Sequence, residues 1–371
     1  YYDGRLARIS ELGVQPIVTV ADTPDWAGDA PCAPVYSDRL DEFAQFLTDL
    51  VGRYKGPPYN VHHWELFNEP DGTWASGSSG GLGCWGDAAT DQDGRVYAEM
   101  LAVGYQAIKS ADPHSVVLMG GLAHDWFTEY AGPFDRYFPD DVMEYGGGEY
   151  VDVLNFHYFR DWHAEWERWD PGSDDRRYGW IPAPTCGDLF DGQGTEYEAW
   201  GIDVQAKATH FQNRLATCFG VDKPLWITEV AEHGYSGNTE SLARQARYVV
   251  QVYARALSIG VQNITWYALT TPNDHYEQGL LYDDWTPKPA FYAYRTMTSE
   301  LAGYEYAFTR DVSEGEAYHF VDVCGRGKTV AWGSGTLSLG SAAKIRVVDR
   351  WGQESFVFDG GPADDDGVRN G

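Results

Sequence analysis

The chain has 371 residues, 43% of them hydrophobic, which suits one large domain with an ample core and a small one beside it. A formal net charge of −29 argues against nucleic acid and anionic membrane surfaces as partners, and no apolar run of about 18 residues predicts a transmembrane helix. The acidity reads as a solvated surface, with a saline or extracellular habitat as the weaker reading. No signal peptide is visible at the opening Tyr1-Tyr2-Asp3, and a leader removed upstream is compatible with the expected extracellular or cell-surface location.

In chain order, Leu6 to Leu12 predicts a helix stopped by Gly13, and Val14 to Val20 a buried strand. Asp38 to Tyr54 reads as a helix ended by Gly56-Pro57-Pro58, and Val61 to Phe67 as a strand. Helix Val96 to Lys109 closes at Asp112-Pro113, ahead of strand Ser115 to Met119. Broken helical signals run from Trp126 to Tyr137, and Val151 to Phe159 is a strand. The pattern continues with helix Asp203 to Cys218, strand Leu225 to Glu229, helix Leu242 to Ser258, strand Gln262 to Leu269 and helix Pro289 to Leu301. Strand and helix alternate six times, and apolar strands between helices mean a parallel sheet covered on both faces. An open doubly wound sheet competes with a barrel. From Glu305 to Phe358 five short strands separated by turn residues predict a small antiparallel β domain. The expected domains are 1–303, a catalytic barrel, and 304–371, β-sandwich-like.

Two apolar runs end in glutamate: Trp64-Glu65-Leu66-Phe67-Asn68-Glu69-Pro70 and Pro224-Leu225-Trp226-Ile227-Thr228-Glu229-Val230. Retaining glycoside hydrolysis needs two carboxyl groups facing each other across one glycosidic bond. Two strands of one barrel ending in Glu at the same rim would supply them, which favours the barrel over the open sheet. On their strands Glu65, Phe67 and Glu69 are expected to share one face, as are Leu225, Ile227 and Glu229. The 15 Trp, 25 Tyr and 16 Phe divide between ordinary core and surfaces that stack on sugar faces. The long segment from Arg160 to Trp200, rich in Trp, is expected to wall the cleft or to be charge-rich surface packing. Five cysteines without C-x-x-C make no disulfide scaffold; Cys32 and Cys84, in loops after neighbouring strands, form a plausible pair, and Cys218 reads as a buried thiol.

These residues resemble the retaining glycosidases of the large (β/α)8 clan with glutamates after strands four and seven, families 39 and 5 above all. The resemblance spans roughly Tyr2 to Tyr304. Thr23-Pro24-Asp25-Trp26 is similar to the end of the third barrel strand, Asn68-Glu69-Pro70 to the signature ending the fourth, and His157-Tyr158 to the pair on the sixth. Thr228-Glu229 is similar to the nucleophile site on the seventh, and Trp266 to the aromatic residue ending the eighth. If Val14 opens the third strand, the first two strands and the second-strand arginine are missing from this sequence. Where many relatives have His-x-Tyr, Phe159 follows His157-Tyr158 here.

The resemblance implies Glu69 as acid/base and Glu229 as nucleophile. It also implies Asn68 at the sugar 2-hydroxyl, with His157, Tyr158, Trp266 and Trp26 as further substrate contacts. Glu232 is the rival nucleophile, and Glu65 reads as a buried polar partner. The substrate expected is a β-linked glycan or glycoside, with no cofactor. A non-catalytic carbohydrate-binding protein on an incomplete barrel is the alternative. A metalloenzyme barrel would want more ligands at strand ends than His157 and His124.

Overall fold

The computed structural model describes residues 1–72, 83–85, 93–124, 134–135, 137–159, 180–182, 186, 197–199, 203–271, 277–339 and 344–358. The chain divides into two compact units, Tyr1–Glu229 with Gln262–Thr265, and Val230–Val261 with Trp266–Gly371.

The first unit opens with helix α1 (Tyr2–Glu11), which starts earlier than its apolar residues suggest, and strand β1 (Ile17–Val20). Then come α2 (Leu40–Tyr54), β2 (His63–Asn68), α3 (Asp93–Ala111), β3 (Val116–Gly121), α4 (Phe138–Glu144) and β4 (Leu154–Phe159). Helix α2 shows why these residues choose helix: Leu47, Val51 and Tyr54 recur every three to four positions and are its buried residues. A short antiparallel pair, β5 (Trp180–Pro182) and β6 (Tyr197–Ala199), precedes α5 (Val204–Phe219). Gly220, at φ +68°, caps α5 in the left-handed conformation that glycine adopts without steric cost. Strand β7 (Leu225–Ala231) and strand β8 (Asn263–Trp266) follow in the sheet, separated by helix α6 (Thr239–Ser258).

Strands β1, β2 and β3 pair in parallel, and parallel bridges Leu118–Val153 and Leu122–Phe156 join β3 to β4. Strand β7 lies beside β4 and β8 beside β7. The spatial order thus follows the chain without reversal. A doubly wound sheet reverses its order at a switch point, so the sheet winds in the sense of a barrel. The side chains of Trp64, Leu66, Val117, Phe156 and Ile227 are fully buried, as expected of strands covered on both faces.

In the second unit, α7 (Pro289–Leu301) packs with α6. Strands β9 (Tyr304–Thr309), β10 (Gly315–Asp322) and β11 (Gly327–Gly333) form an antiparallel sheet in the order β11-β10-β9, and β12 (Lys344–Val348) and β13 (Glu354–Phe358) a hairpin. Ala254 of α6 packs with Tyr318 and Phe320 of β10, and Arg255 makes a two-pronged ion pair with Glu316. Thus β10 covers the α6 surface around Ala254, and the charge at its margin is paired rather than stranded.

Two sequence expectations change. Cys218 is not a buried thiol: it is half-buried and bonded to Cys186, a residue whose loop position gave no sign of where it would lie. Phe67 does not share a face with Glu65. Its backbone is left-handed at φ +73°, which breaks the period-two alternation. Its side chain lines a cavity of about 330 Å³ with Phe43 and Phe46 of α2 and Met100 of α3.

Candidate active site

Glu69 immediately follows β2, and its backbone is left-handed too, at φ +47°. Two such non-glycine residues flanking Asn68 cost of order 1–3 kcal/mol each, so the surroundings must hold them. Four contacts do. The Glu69 amide donates to the Gly121 carbonyl at 3.1 Å, and Gly72 donates to the Glu69 carbonyl at 3.0 Å. Gly83 donates to the Asn68 carbonyl, so close that a Cβ there would lie 2.6 Å from the Glu69 oxygen. The next residue, Cys84, is bonded to Cys32, as the neighbouring loops suggested, and its amide donates to the Cys32 carbonyl. The disulfide therefore straps the loop after β1 to the segment bracing Asn68-Glu69-Pro70. Asp71 adds a second anchor, accepting from the amides of Ala123 and His124 after β3.

His157, on β4, is fully buried between the two glutamates. Its Nδ1 lies 2.8 Å from Glu69 Oε1 and 3.6 Å from Glu229 Oε2. Glu69, His157 and Glu229 present one ligand-type atom each, all within 4.8 Å of one another. The Nδ1 contact to Glu69 is a hydrogen-bond distance, so the cluster reads as groups sharing protons. Glu69 is 5% exposed, while a quarter of the Glu229 side chain remains open.

Below them lies a buried polar layer. Glu65 accepts from Thr19 of β1, the Gly121 amide of β3, Asn155 of β4 and Thr228 of β7. Thr228 Oγ1 is in turn 3.1 Å from His157 Nε2. Burial alone would push the His157 imidazole down, but the nearby carboxylates of Glu229, Glu69 and Glu65 outweigh it and hold it at about 9. Burial pushes Glu229 up to about 7; His157 opposes this and the charges of Glu69 and Glu65 add to it.

The remaining sequence candidates lie as follows. Asn68 ends β2, half-buried. Tyr158, next to His157 on the strand, points to the other face and donates to Asp203 at 2.5 Å. Trp266 ends β8, buried, its indole donating to the Gln278 carbonyl. Trp26 is 61% exposed and lines the 330 Å³ cavity. Glu232 is engaged by Arg244 at 3.1 Å and by the His233 amide. Of the aromatic residues expected to wall the cleft, Trp162, Trp166, Trp169, Tyr178 and Trp200 lie outside the described residues, and Trp180 opens β5. Sequence reasoning missed Asn155 as a site residue and named Thr228 only as part of the Thr228-Glu229 motif, not as a partner of His157 and Glu65. The available signal was that Asn155 and His157 share one face of β4.

A singly wound strand–helix sheet with facing carboxyl groups beyond β2 and on β7 defines the class of protein. The cellulase family, glycosyl hydrolase family 5, matches residues 2–268, and the chain belongs to it. No curated protein matches the chain. Among solved structures, a family 39 glycoside hydrolase from the gut symbiont Bacteroides cellulosilyticus WH2 is similar at 19% identity and TM-score 0.62, covering 98% of this chain and 64% of that one. A glucosidase from Croceicoccus marinus is similar at 18% identity and TM-score 0.54, over 86% of this chain and 60% of that one. The catalytic domain of GH30 xylanase C from Talaromyces cellulolyticus follows at 12% and 0.53, over 89% and 66%. At these identities the likeness shows the fold, and the chain spans under two thirds of each of these proteins.

Proposed function

We propose that this chain is the catalytic part of a retaining glycoside hydrolase acting on a β-linked glycan or glycoside, with Glu69 as acid/base and Glu229 as nucleophile. The carrying observation is the approach of the two carboxylates within 4.8 Å. Retaining enzymes hold the pair about 5–5.5 Å apart, and inverting ones leave about 6.5–9.5 Å for a water. Glu229, the more open of the two, attacks the anomeric carbon while Glu69 gives its proton to the departing oxygen. Water then attacks the glycosyl ester, returning its proton to Glu69 and releasing the Glu229 carboxylate. Glu232 is a poor nucleophile while paired with Arg244.

In this reading the six strands are the third to eighth of a (β/α)8 barrel, and the antiparallel strands from Tyr304 form an accessory β domain. Asn68 reads the sugar 2-hydroxyl and Trp266 and Trp26 are further substrate contacts, whereas Tyr158, turned to Asp203 on the other face of its strand, is not one. The glucosidase and xylanase among the similar structures fit a glycan substrate. Two disulfides suit an oxidising, extracellular or cell-surface setting.

Rescue chemistry tests the assignment. Glu69→Ala should still form the glycosyl intermediate from dinitrophenyl glycosides, accumulate it, and turn over with azide to the β-glycosyl azide. Glu229→Ala with azide should give the opposite anomer. Exchanged behaviours would reverse the roles, and no turnover of any glycoside by the wild-type chain would favour a non-catalytic carbohydrate-binding protein.

A further inference from the structure

Glu65 is buried at the centre of the sheet, yet the double displacement above gives it no task. Its four donors leave a trail that can be followed proton by proton. Asn155 Oδ1 accepts from the Thr228 amide at 3.1 Å, which fixes the amide group the right way round. Its Nδ2 therefore faces Thr228 Oγ1 at 2.7 Å and Glu65 Oε1 at 2.5 Å. The Thr228 hydroxyl has one proton. It cannot go to Asn155 Nδ2, which only donates; of the two acceptors left, the carboxylate oxygen Glu65 Oε1 at 2.9 Å lies nearer than His157 Nε2 at 3.1 Å and takes it. What Thr228 turns towards His157 Nε2, 3.1 Å away, is then a lone pair. Nε2 must carry a hydrogen, or two acceptors would face each other in a buried site.

We propose that Glu65, Asn155 and Thr228 are positioning residues that lock His157 with a proton on Nε2, leaving Nδ1 as the one seat from which it shares a proton with Glu69. This rests on the reading of Glu69 as acid/base. One proton occupies the Nδ1–Oε1 contact of 2.8 Å, on either side. When it leaves with the departing sugar oxygen, the Nδ1 lone pair faces the Glu69 carboxylate. That repulsion favours taking a proton back from the attacking water, so the proton balance closes over one turnover. The charged groups around the ring are Glu69 and Glu229, with Glu65 acting through Thr228; the Lys207 ammonium lies on the His157 carbonyl at 2.9 Å. Gly121 lets the ring lie flat against the backbone, since a Cβ there would fall 2.0 Å from Nε2.

The test is long-range 1H–15N NMR of 15N-histidine-labelled protein from pH about 6 to about 10, with His157 assigned by its loss in His157→Gln. The expected pattern is a pyrrole-type Nε2 at every pH and a titrating Nδ1. A neutral ring protonated on Nδ1 would overturn the proposal. Thr228→Val should release the lock and lower kcat/KM about tenfold on the alkaline side, a shift of about one pKa unit, and Thr228→Ser should restore both. Unchanged spectra and pH profile in Thr228→Val would also sink it. The spectra need no substrate: a wrong tautomer defeats this proposal alone, whereas the expected tautomer in a chain with no turnover defeats the reading of Glu69.

Discussion

In the proposed reaction, two titrations at single residues set the working range of the site. Glu229 must be ionised to attack, and its carboxyl is raised to about 7. The proton shared by Glu69 and His157 must be present, and the imidazole is held at about 9. Activity should therefore rise through pH about 7 and fall through about 9. A kcat/KM profile peaking near pH 5 would contradict this. The same shifts carry a sign for stability. Both groups have folded values above their unfolded ones, so both favour folding when protonated. The Glu229 contribution is present below about 4.5 and is lost as pH rises through about 7, and that of His157 is lost through about 9. The melting temperature of Glu229→Gln should accordingly fall less than wild type between pH 5 and 8. At this scale Glu69, Glu229 and His157 were legible because each ends or interrupts an apolar strand. Asn155 was not, and Thr228 was legible only as the neighbour of Glu229, because a small polar residue in such a run looks like any other until its partners from other strands are seen.

Among the elements, the strap joining the loop after β1 to Gly83–Trp85 has the clearest consequence. Cys32 and Cys84 are 52 residues apart, and closing a loop of that size stabilises the fold by about 4 kcal/mol in the chain-entropy picture. Removing it also frees Gly83 from Asn68, and with it the left-handed turn that aims Glu69. The double variant Cys32→Ser/Cys84→Ser should lose stability in urea and drop kcat at least tenfold even where it remains folded. Full activity in the folded double variant would show that the strap plays no part in aiming Glu69. Most strands lie within about three residues of their sequence positions, since unbroken apolar runs between glycine and proline signals leave little choice. The inversion at Phe67 was invisible because it comes from tertiary packing: Gly83 presses on one side, and the Tyr97 hydroxyl holds the Leu66 carbonyl at 2.6 Å on the other. The Cys186–Cys218 bond was missed for the same reason.

For the molecule as a whole, the net charge of −29 works against compactness. Ion pairs such as Arg346 with Glu300 and Glu354 offset it locally, but they are exposed and individually weak. The melting temperature should therefore rise as salt goes from about 0.01 to about 0.15 M, where the screening length shortens from about 30 to about 8 Å. A flat or falling response would mean the acidic groups are already neutralised by their neighbours. The winding of the sheet was legible from six alternating units and two strand-end glutamates. The buried layer was not, because it is assembled from five strands at once. That assembly bears on how the protein comes into being. Glu65 finds its partners 46, 90 and 163 residues along the chain. A nascent chain emerging from the ribosome has Thr19 at hand early and gains Gly121 and Asn155 in turn, but the layer lacks its Thr228 donor until β7 is made. Native closure of the catalytic end is therefore a late event in synthesis, and any chain cut short before Thr228 should be a client for chaperones or proteases rather than a smaller working enzyme.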